Sequence, residues 1–445
     1  MDVEFLARLQ FAITIMFHYL YAPLSIGLAL ILVIIEGFYV HTHNELYKQL
    51  ARFWTNILAL TFVFGVATGI VMEFEFGTNW ASYSRFVGDV FGSPLAAEGI
   101  FSFFLESVFL GVLVFGWDRV SAKVHFFSTI MVCVGAHLSA VWIIVANSWM
   151  HTPAGFRIVG EGLYRHAEIT DFWAMVFTPS MIDRLTHVVI GAWLAGAFLV
   201  IGVCAYFLLK GKFKQSASLA LNVALYVASV SLVLQFITGD TSARALARTF
   251  PTKLAAYEGI FKTQKGAPLS VWGIVNETEE RADYQIAIPK LLSLLAYGNT
   301  DAEMQGINTV PPQDRPNVPI LFQTYHLMVA TWGLMVGLVA LAWWYLRQGT
   351  LRESRWLLRL LVVSAVIPQI GNQAGWVATE MGRYPWIVYK LLRISDGLSK
   401  AVQADQVLAS ILLFSCVYIF LFGLYLYLFA QKVKDGSVVE LGDLS

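Results

Sequence analysis

The chain has 445 residues, of which 57% are hydrophobic and 13% charged, about half the charged share of an ordinary soluble domain. Thirty basic residues balance thirty acidic ones, so no net field favours nucleic acid. The three cysteines, Cys133, Cys204 and Cys416, all lie in apolar runs and form no visible disulfide or iron–sulfur framework, and the absence of a CxxCH excludes covalent c-type haem.

Apolar runs long enough to cross a bilayer core of roughly 30 Å recur along the chain. They predict an all-α polytopic membrane protein of about nine transmembrane helices, near 10–40, 53–76, 94–117, 124–149, 183–209, 217–239, 319–346, 356–380 and 406–430. The start, Met1-Asp2-Val3-Glu4, lacks the basic stretch of a cleaved signal peptide, so the first span is expected to be retained. Positive charge orients the set. Lys48 and Arg52 follow the first span, Arg119 and Lys123 the third, Lys210, Lys212 and Lys214 the fifth. Arg347, Arg352, Arg355 and Arg359 follow the seventh, and Lys432 and Lys434 lie in the tail, whereas the loop after the second span offers only Arg85. The positive-inside rule then puts the N-terminus outside and the C-terminus in the cytoplasm. The loop after the eighth span runs against the rule with Arg383, Lys390, Arg393 and Lys400. So much charge on the outer side is expected to meet an anionic cofactor group.

The chain divides into residues 1–239 with six spans, an extracytoplasmic connection over 240–318, and residues 319–445 with three spans. That connection is too long for a turn and too mixed for a linker, and long loops in compact proteins carry function. Its segment Ile286–Tyr297 is apolar enough to lie along the interface as a short amphipathic helix.

An ionisable side chain inside a span is costly and needs a partner, a cavity or a metal. Four histidines qualify, His18, His137, His187 and His326, and Met328 lies in the seventh span. Imidazole and thioether are axial ligands of haem iron, which points to a haem protein inside the bilayer. Spacing does not decide which histidines ligate metal and which are hydrogen-bonded packing residues. His326 and Met328, two apart, face roughly opposite sides of one helix and cannot reach the same iron. His41, His43, His151 and His166 read as solvated surface residues, and the 14 tryptophans and 18 tyrosines as mostly interfacial belts. Glu98 and Glu106 fall on the same half of the third span, with no Lys or Arg there to neutralise them. A carboxylate series of this kind suits a proton relay better than a structural ion pair. Glu73 and Glu75, at the end of the second span, are as readily structural.

Several runs carry a resemblance: RLQFAITIMFHYLYAPLSIGL (8–28), ATGIVMEFEFGTNW (67–80), GSPLAAEGIFSFFLES (92–107), FGWDR (115–119), KLAAYEG (253–259) and QAGWVATEMGRYPW (373–386). In these, and in order over nearly its whole length, the chain resembles the larger subunit of cytochrome bd quinol oxidase. The resemblance implies three haems, namely a low-spin haem b, a high-spin haem b and the chlorin haem d. It implies His187 and Met328 as the two ligands of the low-spin haem, and His18 as the single histidine at the high-spin pair, leaving open which haem it holds. His137 and His326 are left as structural residues. The connection resembles a quinol-binding loop in its short form, with Lys253 holding the headgroup oxygen and Glu258 as general base. Quinol protons would leave outside, and protons for water would arrive from the cytoplasm through Glu106 and Glu98, giving a membrane potential without a pump. Expected partners are a smaller membrane subunit II, a possible small accessory subunit, quinol and dioxygen, in a bacterial cytoplasmic membrane.

Three positions depart from the family pattern. Its glutamate before AGW, an iron ligand at the high-spin pair, is Gln373; GRQPW is GRYPW, with Tyr384; and the glutamine two before the threonine of the loop motif is Phe250. A neutral amide is a weak iron ligand, so Gln373 implies weak coordination, a substitute ligand or an altered haem complement. Glu380, nearly two turns on, is too far to replace it unaided. Two other readings follow: a divergent quinol-linked electron-transfer subunit that does not reduce oxygen, and a non-redox transporter or channel with a proton path.

Overall fold

The computed structural model describes residues 2–436. Among the described residues it has nine spans long and apolar enough to cross a membrane: Val3–Thr42, Glu45–Thr78, Ala81–Phe115, Ala122–His151, Met181–Lys210, Lys214–Thr249, Pro312–Arg347, Arg355–Met381 and Ala404–Asp435. Every expected span is present. The sixth runs well past its expected end to Thr249, helped by the Asp240–Arg244 pair one turn apart at 2.7 Å.

Three spans are interrupted. The first stops at His18, turns through residues 19–21, and resumes as Ala22–Thr42 with Pro23 in its first turn, where a missing N–H is tolerated. The third carries a π-helical turn over Glu98–Phe103, a feature that concentrates at functional sites. The eighth splits into Arg355–Ser364 and Ile367–Met381, again with a proline, Pro368, opening the second piece. The first two interruptions fall at candidate residues, His18 and Glu98, and Gln373 lies in the helix that follows the third.

The fifth span is the central helix. A Cβ on Gly27 would lie 2.3 Å from Ala192 O, and one on Gly196 would lie 2.4 Å from the Gly27 carbonyl carbon. Only glycine lets the first and fifth spans touch backbone to backbone there. The fifth span also packs on the sixth and eighth. The ninth lies at the edge, with Leu6 of the first span against its Val407 and Ile411.

The connection after the sixth span is a folded cap. A buried helix, Pro251–Glu258, leads to an antiparallel hairpin, Leu269–Asn276 with Arg281–Ile288, and then to a helix over Leu291–Tyr297. The interfacial helix expected over Ile286–Tyr297 is thus half right. Residues up to Ile288 pair as a strand, Pro289 interrupts, and only Leu291 onward is helical. Leu292 and Ala296 share one buried cluster with Leu254, Ala255 and Ile260 of the cap and with Ala247, Phe322 and Ala378 of the sixth, seventh and eighth spans.

Candidate functional site

His18 ends the first half of its span. Its Nδ1 lies 3.0 Å from Thr68 Oγ1 of the second span, and that hydroxyl donates to Phe64 O at 2.8 Å. At the turn, Leu20 N bonds to Phe17 O rather than to Met16 O. Gln373 Nε2 of the eighth span donates to the Met16 carbonyl at 2.7 Å, and Gln369 Nε2 donates to Leu20 O at 3.1 Å. The side-chain oxygens of both glutamines are buried without a partner.

His187 is held in a similar way. Its Nδ1 lies 3.1 Å from Thr238 Oγ1 of the sixth span, and Thr238 donates to Leu234 O at 2.9 Å. Gln235 Nε2 lies 3.0 Å from His187 Nε2 and 3.3 Å from its Nδ1. The glycines of the eighth and fifth spans connect this histidine to Met328. A Cβ on Gly375 would lie 2.9 Å from Met328 Sδ, and one on Gly191 would lie 2.8 Å from Asn372 Oδ1 and 4.0 Å from Gln235 Nε2. Met328, Gly375, Asn372, Gly191, Gln235 and His187 therefore form one unbroken neighbourhood across four spans.

His137, His326 and His125 have both ring nitrogens engaged, and His151 lies beside a carboxylate. His137 bonds Cys133 O at 2.7 Å through Nδ1 and receives Trp193 Nε1 at 2.8 Å on Nε2. His326 meets Phe322 O at 2.8 Å and Ser270 O at 3.0 Å. His125, not among the sequence candidates, is buried between Glu36 Oε1 at 2.6 Å and Leu113 O at 3.1 Å. His151 corrects its expectation as a surface residue. It is 2% exposed, with Nε2 3.6 Å from Glu380, because the fourth span continues inward past its apolar run.

Glu98 and Glu106 both face the fourth span. Ser139 Oγ donates to Glu98 Oε1 at 3.0 Å, and a Cβ on Gly135, one turn away, would lie 3.0 Å from Glu106 Cβ. Ser102, midway between the two acids, has a buried hydroxyl with no partner. Glu75 is buried and accepts Thr14 Oγ1 at 2.5 Å, while Glu73 is exposed.

The cap brings KLAAYEG onto GRYPW. Lys253 is 1% exposed, and its Nζ donates to Thr379 O at 2.7 Å. Burial, reinforced by the Arg184 charge, holds its ammonium well below the ordinary lysine range. Its stem lies against Gly382, where a Cβ would come within 2.4 Å of Lys253 Cε. Nearby, Glu380 receives Asn147 Nδ2 at 2.9 Å and Arg383 Nη2 at 2.5 Å, and Arg184 donates to Asn147 Oδ1 at 2.9 Å. Arg383 Nε and Nη1 are buried and unpartnered. Of the four basic residues in the loop after the eighth span, Arg383 is buried beside Lys253 and Arg184, Arg393 pairs with Asp314, and Lys390 and Lys400 are exposed.

Glu258 faces the hairpin. Its Oε2 accepts Ser270 N at 2.9 Å, and its Oε1 is buried without a partner. Burial raises its carboxyl to about 8, against the lowering effect of the Ser270 N–H. Lys253 and Glu258, about 140° apart around their helix, contact different elements. Thr68, Thr238, Arg184 and Asn147 have no signal in local spacing, whereas Ser102, four residues from each acid, was open to a periodicity argument.

Among the described residues no cluster of three or more His, Cys, Asp or Glu is placed to hold a bare metal ion. A haem needs less, because its macrocycle supplies four ligands to iron and the protein one or two. His18, His187 and Met328 have the chemistry to be those ligands, and the orphaned Gln373 Oε1 is a further neutral oxygen donor beside the His18 turn.

The profile of the family described as cytochrome bd terminal oxidase subunit I matches residues 6–437. The chain is 38% identical over 448 residues to cytochrome bd ubiquinol oxidase subunit 1 of Bacillus subtilis, covering 97% of this chain and 94% of that protein. It is 31% identical to cytochrome bd-II ubiquinol oxidase subunit 1 of Escherichia coli, over 99% of this chain and 97% of that one. Among solved structures it is similar to the bd oxidase from Geobacillus thermodenitrificans, with a TM-score of 0.90 at 28% identity, covering 97% of this chain and 98% of that one.

Proposed function

The chain belongs to the cytochrome bd terminal oxidase subunit I family, and from that premise we propose how its residues divide the work. The protein is a quinol:oxygen oxidoreductase of a bacterial cytoplasmic membrane, electrogenic without pumping. His187 and Met328 would hold a low-spin haem b, and His18 one of a pair formed by a high-spin haem b and haem d. When bound, these groups supply the electron path from quinol to dioxygen. The reading is carried by one observation: among the four candidate intramembrane histidines, His137 and His326 have Nε2 tied to an indole or a backbone carbonyl, whereas His187 Nε2 meets only the Gln235 side-chain amide and His18 is held through Nδ1.

The residues then act as follows. Segment 240–318 lies outside and forms a short quinol-binding loop. Glu258 takes a quinol proton at its unpartnered Oε1, as a buried base matched to neutral pH. Lys253, fixed against Thr379 O, holds the headgroup oxygen and stabilises charge that develops on it. Arg383, with two unpartnered nitrogens, receives an anionic cofactor group. Glu106, Ser102 and Glu98 pass protons from the cytoplasmic side toward the dioxygen site. A smaller subunit II completes the assembly, with a small accessory subunit where one is present.

The second reading, an electron-transfer subunit without oxygen reduction, is favoured by one contact, because the Gln373 amide is committed to Met16 O where the family's acid would stand. Quinol-driven oxygen uptake by the purified complex, recorded with its reduced absorption spectrum, separates the readings. A chlorin band with b bands and oxygen uptake supports the oxidase. A b band without uptake supports the second reading, and no haem band supports a transporter.

A further inference from the structure

Two Thr-Gly dipeptides cradle the two histidines in matching fashion. Thr68 and Thr238 each place Oγ1 about one hydrogen bond from a histidine Nδ1, at 3.0 Å and 3.1 Å. The next residue in each case is glycine, set against the ring edge. A Cβ on Gly69 would lie 3.3 Å from His18 Cε1, and one on Gly239 would lie 3.7 Å from His187 Cε1. The dipeptides sit on different spans, the second and the sixth, and serve histidines on the first and the fifth.

Hydrogen counting gives the arrangement its meaning. A hydroxyl has one hydrogen and two lone pairs. Thr68 spends its hydrogen on Phe64 O at 2.8 Å, with Gly65 O at 3.0 Å, and Thr238 spends its own on Leu234 O at 2.9 Å. Each Oγ1 can therefore only accept from the imidazole. The histidine proton must reside on Nδ1, and Nε2 keeps the lone pair. His137 and His326 differ, because Nδ1 of each bonds a carbonyl one turn back in its own helix and Nε2 meets an indole N–H or a backbone carbonyl, whereas the partner of His187 Nε2 is a side-chain amide, Gln235. In the Thr-Gly pair the anchor comes from a neighbouring span, so it fixes ring orientation as well as tautomer.

We propose that Thr68 and Thr238 are positioning residues that hold the proton of His18 and His187 on Nδ1, so that Nε2 is presented to haem iron and its basicity is tuned by the threonine acceptor. This rests on the reading of those histidines as haem ligands. Outer-shell partners of this kind typically change metal affinity about 10- to 100-fold when removed.

The test uses the assembled oxidase with its partner subunit. Thr68 and Thr238 are each changed to Val, to Ala and to Ser, and haem per protein, reduced spectra and midpoint potentials are recorded. Thr238→Val and Thr238→Ala should raise the midpoint of the low-spin haem or lower its occupancy, leaving the high-spin haems in place. Thr68→Val and Thr68→Ala should change the potential or occupancy of the haem held by His18, leaving the low-spin haem in place, and both Ser variants should restore wild-type values. Val and Ala variants with unchanged bands, potentials and haem content would overturn the proposal. His18→Ala and His187→Ala, measured alongside, separate the two failures. If these lose their haem while the threonine variants change nothing, only the positioning role falls; if they keep it, the ligand assignment falls as well.

Discussion

Replacing Glu258 by Gln removes a proton acceptor but keeps an oxygen able to receive the Ser270 N–H, which now meets the carboxylate at 2.9 Å. Burial raises the Glu258 carboxyl to about 8. At pH 7 about one molecule in eleven then carries the ionised form, and at pH 8 about half do, so a rate that needs this base rises about fivefold between them and levels off above. The assay is steady-state quinol-driven oxygen uptake from pH 6 to pH 9, in wild type and in Glu258→Gln, at saturating quinol and with haem content checked. The wild type should show the rise, and the variant should be slow and flat across it. A flat wild-type profile, or a variant that keeps the rise, would refute Glu258 as the base. The stability effect runs the other way. The protonated carboxyl favours the folded cap, fully so below the ordinary glutamate range, and that contribution is lost as pH climbs through about 8.

Further outcomes follow from single contacts. Gly382→Ala drives a methyl to 2.4 Å from Lys253 Cε and should push Lys253 off Thr379 O, raising the quinol KM about tenfold for one lost hydrogen bond of about 1.5 kcal/mol; an unchanged KM would remove Lys253 from quinol binding. Gln373→Glu sets a carboxyl oxygen against Met16 O in place of a 2.7 Å donor, so the high-spin haem bands should shift while the low-spin bands stay; bands that do not move would place Gln373 outside the haem site. Glu106→Gln should slow oxygen reduction at least about tenfold, with quinol still reducing the low-spin haem, as stopped-flow spectra would show. Ser102→Ala should slow it in the same sense, and normal turnover in both variants would dismiss the relay.

The spans were legible because apolar length is a property of consecutive residues, and the breaks at residues 19–21 and before Pro368 are the main local features that hydropathy passed over. The histidines were harder. His18, His137, His187 and His326 look alike in sequence, and what distinguishes them are partners such as Thr68 and Thr238, 50 and 51 residues away. Gln373 stood out as a departure, but its partner Met16 is 357 residues distant. His151 was misread because it follows the apolar run of its span, although it packs against Glu380 on another. The strand ending at Ile288 was hidden because Ile286–Tyr297 is mostly apolar, and Pro289 with Lys290 is the signal where one element gives way to the next.

The assignment of His187 and Met328 to one low-spin haem underlies the whole path from quinol to oxygen. Its most direct test is the dithionite-reduced absorption spectrum of the purified complex carrying His187→Ala, set against wild type. The account predicts loss of the low-spin haem b band with the chlorin band retained, and no reduction of the remaining haems by quinol. A full low-spin band in that variant would contradict it.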